Sequence, residues 1–427
     1  MQLNLSSLPD ENLTCILGFL VEKNEGPFYG INKTFRQIQQ SYFYNNLDLQ
    51  LNRTYSRKYQ KSSKFRVLVH SKVFNPRKQV YLDLRSCNIT DMKPLGGVHT
   101  LDLYNCRKIS DVSSLGGVHT LDLSSCKKIS DVSALGKVHT LYLSQCKITD
   151  VSALGGVHTL DLSYCKITDV SMLGRVHTLN LSGCSNIINV SALGKVHSLD
   201  LSDCRNITDV SKLGEVHTLK LQSCYKITDV SMLGRVHNLD LRYCRNITDV
   251  SDLGGVHTLD LTYCDNITDV SALGGVHTLN LSGCDKITDV SKLGGVHTLN
   301  LMSCRKITDV SALGGVHTLD LSGCNISDVS SLGSVNTLNL ASCYDITDVS
   351  ALGGVHTLNL ASCSNITDVS ALGGVHTLNL RYCNITDVSN LGKVHILNLL
   401  GCIKITEISM LHLIYHRESL NFTLPIH

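Results

Sequence analysis

The residues of this 427-residue chain best suited to chemistry are eighteen cysteines and nineteen histidines, and their spacing decides what they can do. Cys15 stands apart. The others are Cys87, Cys106, Cys126, Cys146, Cys165, Cys184, Cys204, Cys224, Cys244, Cys264, Cys284, Cys304, Cys324, Cys343, Cys363, Cys383 and Cys402, always 19 or 20 residues apart. Metal centres gather cysteines into close pairs and disulfide frameworks need partners, whereas an odd number at a constant interval is a structural repeat. The expected state is a buried free thiol that fills an inner corner of each repeat. Fifteen of the histidines, from His99 to His395, form a second column. A zinc site needs about four converging ligands, which a straight ladder does not supply, so the column reads as a repeated edge residue. Acid would crowd positive charge along it. No nucleophile–base set, Gly-rich phosphate loop or Cys-x-x-Cys pair accompanies these columns. No catalytic residue, metal or cofactor is expected.

The elements that position the columns are legible in one copy, Val118-His119-Thr120-Leu121-Asp122-Leu123-Ser124-Ser125-Cys126-Lys127-Lys128-Ile129-Ser130-Asp131-Val132-Ser133-Ala134-Leu135-Gly136-Lys137. Leu-Asp-Leu alternates with the period of a strand buried on one face. Ile129, Val132 and Leu135 fall three apart, which suits a tight 3₁₀-like turn. Asp131 is placed to cap backbone donors ahead of that turn, and Gly136 to reverse the chain. The 19-residue interval loses one residue between Cys and Ile, which marks a surface turn. No copy this short buries its apolar side alone, so the copies must stack.

These residues resemble the leucine-rich repeat pattern L-x-x-L-x-L-x-x-N/C-x-L. The Ile-Thr-Asp-Val-Ser-x-Leu half is similar to the compact repeats of internalin-type proteins, and Cys in the Asn/Cys position is similar to F-box leucine-rich repeat proteins. The resemblance implies an α/β repeat solenoid of short parallel strands and 3₁₀-like convex turns. It covers about seventeen copies over residues 79–411 and a length on the order of 80 Å. Arrays this uniform look like those of large DNA viruses of amoebae, which implies action in a host cell.

Ahead of the array, Ser7-Leu8-Pro9-Asp10-Glu11 is a helix-start signal, and Leu13, Ile16, Leu17 and Leu20 recur at helical spacing. A second apolar stretch covers 31–38 and a third helix is predicted from about Ser62 to Phe74. The first eighty residues read either as a cap on the solenoid or as a partner-binding helix set. Leu8-Pro9-Asp10-Glu11, Ile16-Leu17-Gly18-Phe19-Leu20 and Ile31-Asn32-Lys33-Thr34-Phe35 resemble an F-box. Glu22-Lys23-Asn24-Glu25-Gly26-Pro27 departs from it, where an F-box carries an apolar stretch. The expected organisation is an F-box-like helical module at 1–48, a basic helical linker and N-terminal cap at 49–78, the solenoid at 79–411 and a C-terminal cap at 412–427.

Net charge is +2, but residues 52–78 hold nine basic and no acidic residues, so the rest of the chain is acidic. That balance disfavours nucleic acid as a partner. No apolar run is long enough to span a membrane, and the opening residues lack a basic n-region with an apolar h-region, so a cytoplasmic or nuclear location is expected. The centre of each strand is Asp in eight copies and Asn in seven, with Tyr142 and Lys220 breaking the column. This variation reads as drift among copied repeats, or as an acidic face for a basic ligand. Tyr142, Tyr164, Tyr243 and Tyr263, all expected to be exposed, with Lys220, Gln222 and Arg242, are the candidate target-binding residues, because Tyr and Arg dominate binding hot spots. The F-box resemblance implies a non-catalytic substrate-recognition subunit of a Skp–cullin–F-box type ubiquitin ligase, monomeric within the complex. Leu8, Pro9, Leu13, Ile16, Leu17, Leu20, Ile31 and Phe35 would contact the Skp-type adaptor, which joins it to the cullin, and the repeats would hold the target protein. The alternative is an interaction or adhesion scaffold with no ligase link.

Overall fold

A computed structural model of the chain describes residues 49–51, 53–72, 80–405 and 422–423. The adaptor-contact residues Leu8, Pro9, Leu13, Ile16, Leu17, Leu20, Ile31 and Phe35 lie outside the described residues, as does most of the C-terminal cap.

Each copy forms one coil. Thr120–Asp122 is a three-residue strand with Leu121 and Leu123 turned inward, and Ser133–Leu135 is a 3₁₀ turn. Seven side chains of the coil (Val118, Leu121, Leu123, Cys126, Ile129, Val132 and Leu135) are at most 3% exposed and fill the space between the coils on either side. The strands pair in parallel and in register, Thr120 with Thr140 and Leu121 with Leu141, so every column of the sequence becomes a straight row. Among the described residues the result is a single sheet of nineteen strands. Seventeen come from the repeats. Leu49–Leu51 adds a strand before Val80–Asp83, and Phe422–Thr423 adds one after Ile396–Asn398.

Two helices close the first coil. Helix α1 (Arg53–Lys61) lies in the segment read as a basic helical linker, where no helix bounds are predicted, and α2 (Ser63–Lys72) falls within the predicted third helix. Ser56 and Tyr59 of α1 are buried while its basic residues face solvent. Ser56 Oγ donates to Leu51 O at 2.9 Å and accepts the Asp83 N–H at 3.1 Å, tying helix, edge strand and first coil together. Ser62 caps α2 by accepting the Phe65 N–H, and Arg66 donates to the carbonyls of Tyr59 and Gln60 at the end of α1.

Two local readings change. Gly136 has φ −62°, so it does not use a left-handed conformation; a Cβ there would lie 2.2 Å from Ala153 O, and glycine is needed because adjacent coils approach that closely. The left-handed residue sits instead before each cysteine. All seventeen such positions have positive φ, thirteen without the freedom of glycine. In the coil of Cys126, the Cys126 N–H donates to Leu123 O at 3.1 Å with Ser125 at φ 62°, the signature of a type II turn. That corner swings the thiol into the core.

Candidate partner-binding surface

The thiols are held by hydrogen bonds. Cys126 Sγ donates to Leu103 O at 3.3 Å, and the same carbonyl accepts the Cys106 N–H at 3.1 Å. This pattern repeats along the array to Cys402, whose thiol donates to Leu380 O at 2.9 Å. Every repeat cysteine is a buried free thiol. Burial pushes the Cys126 and Cys204 thiols up to about 12, so the reactive thiolate is suppressed. The column is a structural spine.

The imidazoles stack face to face. Twelve rings from His99 to His317 and three from His356 to His395 form two runs with centroids 4.3–4.8 Å apart, interrupted at Asn336. His139 Nδ1 lies 3.2 Å from Thr140 Oγ1, which orients the ring. Parallel rings aim their nitrogens along parallel lines, and among the described residues no three His, Cys, Asp or Glu side chains converge as metal ligands. Burial, and then the neighbouring rings, lower the pKa values of His139 and His177.

The strand centre is a capping position. In fifteen of the seventeen coils, all except those of Tyr142 and Lys220, the Asp or Asn Oδ1 accepts the N–H two residues on at 2.8–3.1 Å. Asp and Asn supply the same acceptor, so their exchange is constrained by the turn that follows. Asp131 behaves as expected: its Oδ1 accepts the Ser133 N–H at 2.9 Å, which holds its carboxyl below the usual range.

Five of the seven candidate target-binding residues gather in three adjacent coils. Lys220 is exposed and 3.9 Å from Asp200. Gln222 is half-buried beside it. Arg242 bonds Asp240 at 2.6 Å and reaches Asp260 at 3.8 Å, which fixes its guanidinium on the face. Tyr243, expected to be exposed, is half-buried because its ring stacks on Tyr263 at 5.2 Å. Tyr263 in turn covers Gly283, where a Cβ would meet the ring at 2.5 Å. Tyr142 and Tyr164 form a separate pair of positions nearer the amino terminus, the second 61% exposed and lying over Gly183. Arg381 and Tyr382 were missed: the guanidinium sits 4.6 Å over the ring, and Tyr382 covers Gly401. The Leu-Arg-Tyr-Cys string shared by 241–244 and 380–383 was the available signal.

The pattern of the leucine-rich repeat family matches residues 157–173 and 316–330. No curated protein matches the chain in sequence. Among solved structures, a leucine-rich repeat protein of Leptospira interrogans is 18% identical over 78% of this chain and 97% of that one, with a TM-score of 0.58. The mouse RP105/MD-1 complex gives 16% identity over 85% and 77%, with a TM-score of 0.57. The functional domain of InlJ from Listeria monocytogenes, described as including a cysteine ladder, gives 22% over 74% and 72%, with a TM-score of 0.48. The coil geometry, the two segments that match the repeat pattern and the first two of these likenesses agree on the fold: the chain folds as a leucine-rich repeat solenoid.

Proposed function

We propose that the chain is a non-enzymatic binding scaffold whose strand face receives another protein, and that residues 5–45 couple it to the Skp-type adaptor of a cullin–RING ubiquitin ligase. The observation that carries the first part is the continuous in-register sheet: its outward rows of Thr, Asp and Asn lie under no other described element, and Lys220, Arg242 and Tyr263 stand together on it. Solenoids of this kind use such extended surfaces for binding. Tyr and Arg already fixed by stacking and ion pairs lose little freedom on association, which favours them as anchors. The ligase link is supported by the F-box-like residues of the sequence. A bound target would be held so that its lysines meet the recruited conjugating enzyme, an effect of proximity. This reading places the protein in the cytoplasm or nucleus.

The scaffold reading without a ligase is favoured by one observation: α1 and the strand Leu49–Leu51 close the first coil, as a pure capping segment does. A pull-down with the full-length chain separates the two. The ligase reading expects capture of the Skp-type adaptor by the wild type and loss with Ile16→Asp, Leu17→Asp. Adaptor capture that survives the double substitution, or is absent from the wild type, leaves the scaffold alone.

A further inference from the structure

Charge in this array is segregated by row, which the near-zero net charge conceals. Fifteen of the seventeen coils carry an Asp or Asn at the strand centre, Tyr142 and Lys220 being the exceptions, and the coils from Asp91 to Asp387 carry another before the convex turn; the one or two residues after the cysteine lie between them at the lateral edge. In four consecutive coils that edge holds Arg107, Lys108, Lys127, Lys128, Lys147 and Lys166, all exposed, with no acidic residue among them. The in-register pairing from Thr100–Asp102 to Thr159–Asp161 sets these cations at the ~4.8 Å pitch of the sheet. Farther along, the same edge is answered by carboxylates: Arg205 lies 3.1 Å from Asp203, and Arg245 lies 3.3 Å from Asp265. Among the described residues, the six cations of the first stretch have no ion pair. Helix α1 extends the row, since Arg57 Nε donates to Cys87 Sγ at 3.4 Å and Arg53 bonds the Arg85 carbonyl.

We infer that this ridge binds an extended, acidic peptide segment of a protein partner, a role that rests on the protein-binding reading above. Its shape selects the ligand. Asp102, Asp122 and Asp161 flank it on the strand side and Asp111, Asp131, Asp150 and Asp169 on the turn side, so a broad polyanion such as a nucleic-acid duplex or a membrane plane meets like charge on both flanks. Five of the six cations are Lys, whose compact ammonium does not present the bidentate fork that reads phosphate. Single-stranded nucleic acid stacks successive bases on aromatic side chains, whereas Tyr104, Tyr142 and Tyr164 stand in three different rows and form no continuous stacking platform. An extended peptide repeats its side chains on one edge every ~6.6 Å, and flexible lysine stems absorb the mismatch with the sheet pitch.

Fluorescence anisotropy on the full-length protein tests the inference, with a labelled peptide of alternating Glu and Ser as the probe. An oligothymidylate of equal length and phosphatidylserine vesicles are run in parallel. The peptide should bind, weaken as salt is raised, and lose about tenfold in affinity with Lys127→Glu, Lys128→Glu. Arg305→Glu, Lys306→Glu, at the same edge of a distant coil, should leave binding within about twofold. If the first pair alters the thermal melt, Lys147→Gln, Lys166→Gln replaces it, with a proportionate loss expected. Absence of peptide binding, equal loss from the near and distant pairs, or tighter binding of the oligothymidylate or the vesicles overturns the inference. Partner capture through the strand face is scored separately with Lys220→Ala, Arg242→Ala. Retained capture without ridge binding overturns the ridge alone; peptide binding at the ridge with no partner captured by the wild type overturns the strand-face reading alone.

Discussion

Replacing Cys224 by alanine should destabilise the array by about 1–2 kcal/mol and do so locally. The side chain is 0% exposed and its thiol donates to Leu201 O at 3.2 Å. That carbonyl also accepts the Cys204 N–H at 3.0 Å, so losing the thiol leaves it bonded once and avoids the full penalty of an orphaned buried acceptor. A thiol is a weak donor, and the remaining loss is a cavity of about methyl size, worth ~1 kcal/mol. Serine restores a better donor but buries a hydroxyl, so Cys224→Ser should fall in the same range. Native-state hydrogen exchange is the suitable assay, because a stack in which each coil touches only its neighbours need not unfold as one unit. Protection should drop for the strands Thr218–Lys220 and Asn238–Asp240 and stay unchanged for Thr357–Asn359. A loss above about 4 kcal/mol, or one spread evenly along the chain, would refute the reasoning. So would no loss at all, since the thiol would then be neither filler nor donor.

Acid should also weaken the stack. His139 and His177 have pKa values below that of an unfolded histidine, so the unfolded chain takes up protons first; the associated stability is complete above about pH 6.5 and is lost as pH falls through the lower folded values. The melting temperature should therefore be lower at about pH 5 than at about pH 7.5, and equal melts would contradict the stacked ladder. The turn cap gives a second acid effect: Ser231 N–H holds the Asp229 carboxyl below its usual range, so that stability persists down to about pH 4 and fades below it. Asp229→Asn keeps the acceptor, as Asn189 does natively, and should melt near wild type, whereas Asp229→Ala should melt lower at neutral pH. Gly183→Ala should lower the melt because the new Cβ meets the Tyr164 ring at a left-handed φ of 72°. Adding Tyr164→Ser should recover the steric part and leave the backbone cost of about 1 kcal/mol; a purely additive double mutant would contradict the ring contact.

What could be read from sequence, and what could not, follows from which features leave a side-chain trace. Cys126, Ile129, Val132 and Leu135 recur unchanged in type along most of the array, so their spacing exposes the coil and its 3₁₀ turn directly. The left-handed corner leaves no such trace: Ser125, Asn105, Gln145, Tyr164 and Asp203 all occupy it, because the turn closed by the Cys N–H to Leu O hydrogen bond sets φ whatever the side chain. Asp122 and Asn180 look like drift until the capped N–H is seen. The bounds and buried face of helix α1, within the segment read as a basic helical linker, were hidden by its basic run, since only Ser56 and Tyr59 mark the buried side. Tyr243 was taken as exposed because stacking on Tyr263 depends on register between coils, which one coil's sequence does not carry. The same register creates the basic ridge from residues 107 to 166, whose members are separate in sequence and adjacent only after stacking.

Small-angle X-ray scattering of the full-length chain in solution tests the stacking most directly. Seventeen rungs at ~4.8 Å predict a skewed distance distribution with a longest dimension of about 80 Å or more. A symmetric distribution with a radius of gyration of about 22 Å, that of a compact globule of this length, would contradict it.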